Sequence, residues 1–398
     1  MGDVLVSVQP QQEAAPPSSI DLLHLQILGI NFAVRWGSGV SGEQQLNMRA
    51  AWARCASEQV PEAAVPSPPA PSAPYTAAVT YQSGDQATEG LELGASSFDE
   101  LAENLTSRLT VAAILANAGR LTMLHACGVA DPATGATVAL VAKSGTGKTT
   151  AASVLASTYG YVTDETVAIR PDRTLVPYPK PLSVKQGPGL PKKQVGPDEL
   201  GLRPSPAKAT LQSIVLLNRV SGEGRTPPVL ERVQLTEALV ALIPDSSSQG
   251  EIEQPLQSLC RIIDSVGGVR QVTYSEAADL PAALAPLFQV QRQQEPGWEP
   301  RDSGSAEPGE VPEGYIQRTP AKDAIAIGSE LLVMLDAGIV HLAGIGPATW
   351  EAADEPLTRH QLAAKVAGVH GTPEGYRVAV EQAVELLVAE GVLEQGRS

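Results

Sequence analysis

A run of small, hydroxylated and basic residues from Ala142 to Thr150 has the composition of a phosphate-binding loop. The run reads Ala-Lys-Ser-Gly-Thr-Gly-Lys-Thr-Thr, and it follows the apolar segment at residues 138–141. Backbone N–H groups at the glycines can wrap a phosphate, and the positive end of a following helix attracts its charge. The order of strand, glycine turn and helix therefore predicts that this chain binds a nucleotide.

The polar residues of the loop have predicted roles in that site. Lys148 is expected to reach the terminal phosphates, and the Thr149 hydroxyl is expected to ligate Mg²⁺. Ala142 stands where the motif usually has its first glycine, and a methyl group is tolerated there if φ is negative. A chance glycine turn with a surface lysine is the alternative. The predicted phosphate-binding residues are Ser144, Gly145, Thr146, Gly147, Lys148, Thr149 and Thr150.

Two other polar features could supply reaction chemistry beside Lys148. His125 precedes a turn that leads into the strand before the loop, and Asp164 and Glu165 end a short apolar segment after the predicted loop helix. Phosphoryl transfer needs a metal ligand and often a carboxylate that accepts the proton of the attacking hydroxyl. The residues alone leave two alternatives open, namely a hydrogen-bonded core histidine at position 125 and an exposed turn at residues 164–165.

The elements that must position these residues follow from apolar spacing. A helix at residues 98–115 and a short helix at 47–57 are predicted, together with a single strand at residues 25–36. Because strands and helices are mixed, the central part is predicted to be an α/β domain. Its predicted strands are at residues 125–129, 138–141, 161–163, 167–170 and 213–217.

Segments rich in proline, serine and glycine divide the chain. Residues 1–97 are predicted to form an N-terminal subdomain that contains a proline-rich linker at 61–74. Residues 98–290 are predicted to be the nucleotide-binding domain, and residues 291–312 a linker with almost nothing to bury. Residues 313–398 are then predicted to form a small domain of their own.

That last domain has the pattern of a winged helix-turn-helix. Strands are predicted at residues 324–327, 331–335 and 338–342, and helices begin at residues 347, 358 and 373. Thr358 suits an N-cap, and Gly391 suits a helix end. The domain holds six Lys and Arg against twelve Asp and Glu. This negative charge argues against DNA, so a peptide partner is favoured.

The composition excludes several other classes of protein. The 398 residues carry 28 Lys and Arg and 44 Asp and Glu, a net charge of −16, which disfavours nucleic-acid and anionic-membrane partners. The sequence lacks a membrane-spanning segment and a secretory signal, so a cytoplasmic location is expected. Cys55, Cys127 and Cys260 lie far apart and are predicted to be buried thiols. A homo-oligomer is left open.

The order of these motifs resembles the HPr kinase/phosphorylase family over residues 99–288. The resemblance implies a core similar to the HPr kinase C-terminal domain and phosphoenolpyruvate carboxykinase, with ATP and Mg²⁺ as cofactors and a protein serine as acceptor. By this resemblance, His125 assists the reacting phosphate, Asp164 is the catalytic base with Lys148 beside the phosphates, and Thr149, Asp164 and Glu165 hold the metal.

The sequence departs from the family pattern at three points. Ala142 replaces a glycine, Glu165 stands where a second aspartate is usual, and an Arg-Gly-Gly segment is missing. The third departure argues against HPr itself as the substrate. The segment at residues 177–185 is similar to that of variant members. Within it Lys180 and Lys185, and further on Arg219, are candidate phosphate or substrate contacts, although a solvated surface position is favoured for each.

The C-terminal domain resembles the PqqD family, whose members bind the leader of a ribosomally made peptide as an added edge strand. Here the strand at residues 339–342 and the last helix would line the groove. Together the resemblances predict a kinase that phosphorylates a Ser or Thr hydroxyl on a peptide or small protein. A nucleotide-gated peptide-binding protein or chaperone without catalysis is the alternative, and DNA-binding regulation is the third interpretation.

Overall fold

The computed structural model describes most of the chain. Two predicted phosphate-binding residues, Ser144 and Gly145, lie outside the described residues, as do most of the linker at 61–74 and parts of the linker at 291–312. No helix in the described part of the chain is long and apolar enough to cross a membrane. The described residues are 22–58, 73–83, 87–143, 146–221, 225–290, 293, 295–304, 310–336 and 338–396.

The N-terminal region is a four-stranded antiparallel sheet with two helices. The sheet has the order β1-β2-β3-β4, and a buried face of α2 packs against it through Leu101, Leu105 and Leu109. The predicted helix at 98–115 is confirmed as α2, whereas the short helix begins earlier, at a capping box formed by Ser41 and Gln44. The elements are β1 (Leu22–Ile27), β2 (Ile30–Trp36), α1 (Gly42–Ala51), β3 (Tyr75–Ser83), β4 (Ala87–Ala95) and α2 (Phe98–Ala116).

The single strand predicted at residues 25–36 is wrong, because the chain reverses in its middle. β1 and β2 form a hairpin whose two turn residues, Leu28 and Gly29, have φ values of 51° and 83°. Positive φ at both positions gives the turn that best matches the twist of a hairpin. Leucine rarely occupies such a position, so the sequence carried only half of the usual turn signal.

The central region contains a six-stranded mixed sheet, which confirms an α/β core with parallel strands. Its order is β14-β16-β13-β7-β6-β8, in which β13 runs parallel to both β7 and β16. β7 is buried along its whole length because hydrophobic clusters cover both of its faces. A smaller antiparallel sheet has the order β10-β9-β5-β15, and β11 pairs with β12.

The five predicted strands of the central region correspond to β6, β7, β8, β9 and β13 to within a few residues, and the other strands were not predicted. The strands are β5 (Thr122–Leu124), β6 (Ala126–Ala130), β7 (Ala136–Val141), β8 (Gly160–Thr163), β9 (Val167–Ile169), β10 (Leu175–Val176), β11 (Leu182–Val184), β12 (Lys193–Val195), β13 (Thr210–Arg219), β14 (Val229–Arg232), β15 (Ser246–Ser247) and β16 (Val269–Tyr274). The helices are α3 (Lys148–Leu155), α4 (Leu235–Leu242), α5 (Pro255–Ser265) and α6 (Leu280–Leu284).

The C-terminal region has the three strands and three helices expected from its sequence, together with four short strands that were not predicted. Thr358 caps α8 through a capping box with Gln361, and Gly391, with φ 77°, follows the end of α9. Its elements are β17 (Glu299–Pro300), β18 (Tyr315–Arg318), β19 (Asp323–Ile327), β20 (Glu330–Leu335), β21 (Gly338–Leu342), α7 (Gly346–Ala352), β22 (Leu357–Thr358), α8 (Arg359–His370), α9 (Tyr376–Ala389) and β23 (Leu393–Gln395). One sheet has the order β17-β19-β20-β21 and the other β22-β18-β23.

The sheet that contains β19, β20 and β21 is covered on both faces. Alternate residues such as Leu331 and Val333 pack with α7, α8 and α9, while Leu332 and Met334 join the core cluster that contains α4 and α5. The C-terminal region therefore shares apolar packing with the central region. Its assignment to a winged-helix or PqqD-like domain stays a prediction.

Candidate active site

The glycine loop leads from the buried end of β7 into α3. Gly147 is the N-cap of this helix and has a φ of 98°, a left-handed conformation that favours glycine. Ala142 is buried, and its φ lies outside the left-handed region, so the condition for accepting its methyl group is met. The Lys148 side chain is buried and donates a hydrogen bond to the Ala142 carbonyl oxygen. The described part of the loop, which excludes residues 144 and 145, thus joins a buried strand to a helix N-terminus, and its binding of phosphate stays a prediction.

The predicted acidic pair lies beside the first turn of α3. Asp164 is only 6% exposed, and the Thr149 hydroxyl donates to its Oδ2 atom at 3.2 Å. The Tyr161 hydroxyl donates to its Oδ1 atom at 2.9 Å. The Thr163 hydroxyl accepts the backbone N–H group of Glu165 at 3.2 Å, which shapes the turn. The alternative of an exposed turn is therefore wrong for Asp164, while the Glu165 side chain remains 33% exposed.

Lys180 lies between the two carboxylates, and its predicted surface position is wrong. The residue is only 2% exposed, and its Nζ atom is 3.1 Å from Asp164 Oδ1 and 3.2 Å from Glu165 Oε2. The Tyr161 hydroxyl also lies 3.2 Å from the Lys180 carbonyl oxygen. Nothing in the sequence indicated this burial. The carboxylates that offset the cost of burying the Lys180 charge lie next to it only in the folded chain.

Burial and the nearby carboxylates act in opposite directions on the pKa values of both lysines. Burial lowers the pKa of Lys148, although the negative charges of Asp245, Glu165 and Asp164 oppose this effect. Burial also acts to lower the pKa of Lys180, but the charges and hydrogen bonds of Asp164 and Glu165 outweigh it and raise that pKa. Lys180 is therefore held as an ammonium ion.

His125 lies at the break between β5 and β6 rather than within a strand. Its backbone N–H donates to the carbonyl oxygen of Asp245 at 2.6 Å, and the N–H of Ala126 donates to the carbonyl of Glu165 at 3.1 Å. His125 is half-buried, and its imidazole makes no hydrogen bond with other described residues. The backbone thus places His125 near the acidic pair, but its ring has no hydrogen-bond partner among the described residues.

Asp245, just after α4, is a residue of the site that sequence reasoning missed. It fixes the backbone of His125 and is the carboxylate with the largest electrostatic effect on Lys148. No motif surrounds it in the sequence. Of the other basic candidates, Lys185 and Arg219 are exposed, as expected, although Arg219 lies close to Gly147 and donates to the Ser275 carbonyl oxygen at 3.2 Å.

A metal ion would find two of the three predicted ligands next to each other, since the Thr149 hydroxyl already contacts Asp164. Glu165 is adjacent but is paired with Lys180. No cluster of three His, Cys, Asp or Glu side chains that could hold a metal occurs among the described residues. Mg²⁺ commonly binds through one or two protein oxygens and takes its other ligands from phosphates and water, so the residues fit that ion.

The chain was compared with known proteins. No family model matches it, and no curated protein does. A similar solved structure is the Hpr(Ser) kinase/phosphatase from Coxiella burnetii, with 11% sequence identity, a TM-score of 0.23, and coverage of 42% of this chain and 92% of that one. A TM-score of this size does not establish a common fold, so the function has to be inferred from the residues of this chain.

Proposed function

We propose that the protein is a kinase that uses ATP and Mg²⁺ to phosphorylate a Ser or Thr hydroxyl on a peptide or small protein. One observation carries the proposal: the buried Asp164 carboxylate contacts the hydroxyl of Thr149, one residue after the lysine at the N-terminus of α3. A helix N-terminus, a lysine, a hydroxyl and a carboxylate are the groups that phosphoryl transfer requires.

Each of these groups has a role in the proposed reaction. Lys148 binds the terminal phosphates after its side chain leaves the Ala142 carbonyl oxygen. Asp164 accepts the proton of the acceptor hydroxyl as that oxygen attacks the γ-phosphorus, and the bond to the β-phosphate oxygen breaks to release ADP. His125 lies on the same side of the site through its backbone contact with Asp245 and is proposed to assist the phosphate.

Thr149 and Asp164 would hold Mg²⁺, with Glu165 as a further carboxylate at the same place. When bound, this ion neutralises charge on the phosphate oxygens. The rest of the charge balance comes from the protein. Lys180 compensates one of the two carboxylates, so Asp164, Glu165 and Lys180 together carry a single negative charge toward an anionic nucleotide.

The acceptor is proposed to dock on the C-terminal region. β21 is the last strand of its sheet, so its outer edge is unpaired among the described residues. An unpaired edge can bind an extended peptide through backbone hydrogen bonds. The last helix, α9, packs mainly with α7, α8 and β23 and exposes Val378 and Leu386 on one side. Docking raises the local concentration of a weakly bound acceptor.

The proposal is tested with γ-labelled ATP and short peptides encoded by neighbouring genes. We expect label on a Ser or Thr side chain, dependent on Mg²⁺, with loss of labelling when the acceptor residue is changed to Ala. A protein with Glu253→Gln, at an exposed carboxylate away from the glycine loop and from β21, serves as the matched control and should label normally.

Binding of ATP with no transfer to any acceptor would contradict the kinase proposal. The protein would then be the second candidate, a nucleotide-gated peptide-binding protein. Two observations favour this candidate. Both oxygens of Asp164 already have protein donors, and Lys180 occupies the acidic pair. This candidate predicts that Asp164→Asn leaves ATP binding unchanged and that turnover is absent.

A further inference from the structure

A cavity of about 600 Å³ lies between the central region and the C-terminal sheet, away from the glycine loop. It is bordered by the start of α4, the end of α5 and the strands β20 and β21. The size falls within the range of ligand sites. The charged and titratable residues that line it are Arg232, Glu237, Asp264, Glu330 and His341.

Asp264 is the buried charge of this cavity. It is only 9% exposed, and its Oδ2 atom accepts a hydrogen bond from the indole N–H of Trp298 at 2.8 Å. No cation lies within ion-pair distance of it among the described residues. Burial raises the pKa of Asp264, which the Trp298 hydrogen bond only partly offsets. The carboxylate also lies in the last turn of α5, where the helix dipole disfavours negative charge.

A second buried carboxylate nearby, in contrast, has hydrogen-bond donors at both of its oxygens. Asp323, at the start of β19, accepts hydrogen bonds from the backbone and side-chain nitrogens of Gln257 at 3.0 and 2.9 Å, and from the N–H group of Ala324 at 2.9 Å. Asp264 has a single donor among the described residues, the indole N–H of Trp298. The cost of burying Asp264 is thus only partly offset within the described chain.

The remaining walls of the cavity add negative charge at the side of the C-terminal sheet. Glu330 accepts the Thr236 hydroxyl at 2.8 Å and lies 3.3 Å from the imidazole of His341. Arg232 and Glu237 are exposed and oppose each other in sign. The cavity therefore favours a cation at its buried end.

The register of the sheet connects this cavity to the edge of β21. His341 is the partner of Leu332, and Ile339 is the partner of Met334, so both lie on the sheet face that packs toward the central core. A peptide strand added outside β21 would point alternate side chains to that same face. One of them would enter the cavity.

We propose that the cavity is a binding site for a cationic side chain, a guanidinium or ammonium group carried by a peptide that docks on β21, and that Asp264 is its counter-ion. The inference rests on the proposed function only in taking a peptide as the partner. It requires neither ATP nor turnover. If the site acts in this way, the acceptor peptide carries a basic residue near the segment that docks on β21.

Fluorescence anisotropy of the full chain tests this assignment with a short labelled peptide that carries one arginine, and with its twin that carries neutral citrulline. We expect the arginine peptide to bind at least about tenfold more tightly than its twin, and Asp264→Asn to remove that preference, because a buried ion pair then lacks its carboxylate. Glu231→Gln removes an exposed charge on the adjacent β14 and should leave binding unchanged.

Equal binding of the two peptides, unchanged binding to the Asp264→Asn protein, or no binding to the wild-type chain would overturn the proposal. Free arginine or spermidine that binds as tightly as the peptide, and only when Asp264 is present, would retain the cation site and assign it to a small molecule. Binding of the arginine peptide does not depend on phosphoryl transfer, so failure of the kinase proposal would leave this site in place.

The stability of the same variant separates a binding role from a structural one. Because the folded state raises the pKa of Asp264, the ionised group destabilises the fold as pH rises through that pKa. Asn cannot ionise and can still accept the Trp298 hydrogen bond. We expect the melting temperature of the Asp264→Asn protein, measured by circular dichroism, to equal that of the wild type in acid. At neutral pH it should be higher by on the order of 1 °C. A lower melting temperature at neutral pH would show that Asp264 is structural and overturn the proposal.

Discussion

Asp164→Asn is expected to reduce phosphoryl transfer by on the order of 1000-fold, because the amide cannot accept the proton of the attacking hydroxyl. Folding should survive. The Asn oxygen can still accept from Tyr161 or Thr149, and Glu165 remains 3.2 Å from Lys180 as a charged partner. The measurement is initial transfer from labelled ATP to the acceptor peptide, together with nucleotide affinity from a fluorescent analogue.

A comparison of the transfer rate with the nucleotide affinity distinguishes a catalytic role of Asp164 from a role in nucleotide binding. If Asp164 acts on the reacting hydroxyl, the rate constant falls while the affinity for the nucleotide without Mg²⁺ changes little. Glu253→Gln, which alters an exposed carboxylate shortly before α5, is the control for the loss of one negative charge. Transfer at the wild-type rate in the Asp164→Asn protein would remove Asp164 from the mechanism.

Local sequence signals predicted several elements of the fold. The start of α3 after Gly147, the buried face of α2 and the N-cap at Thr358 each depend on residues within a few positions of one another. The apolar segment before the loop likewise became β7, buried on both faces. Such features are encoded locally, so spacing and residue type are sufficient to find them.

The parts of the site that depend on distant residues were not predictable. Lys180 follows a proline-rich segment that indicates only an irregular connection, yet the fold buries it against carboxylates 15 and 16 residues earlier in the chain. Asp245 reaches the site through a backbone bond to His125. Asp264 has a proposed role only because several separate segments of the chain enclose a cavity around it. Long-range placement sets the environment of each charge, and a single sequence does not display it.

Lys180→Met is expected to lower the free energy of unfolding by about 3 kcal/mol, because it leaves Asp164 buried without its cation. Methionine keeps the length of the side chain, so the change removes charge rather than volume. The measurement is chemical denaturation near neutral pH. Lys185→Met, at an exposed lysine five residues later, is the matched control and should cost little.

The same substitution should reduce phosphoryl transfer by on the order of 100-fold, because Asp164 and Glu165 then repel each other and leave their positions. Adding Glu165→Gln to Lys180→Met removes one of the two charges and should recover a large part of the lost stability. It should not restore transfer to the same extent if Lys180 positions Asp164 for the reaction. Full recovery of both quantities in the double variant would show that Lys180 only neutralises charge, whereas wild-type stability in Lys180→Met would show that the ion pairs contribute nothing to the fold.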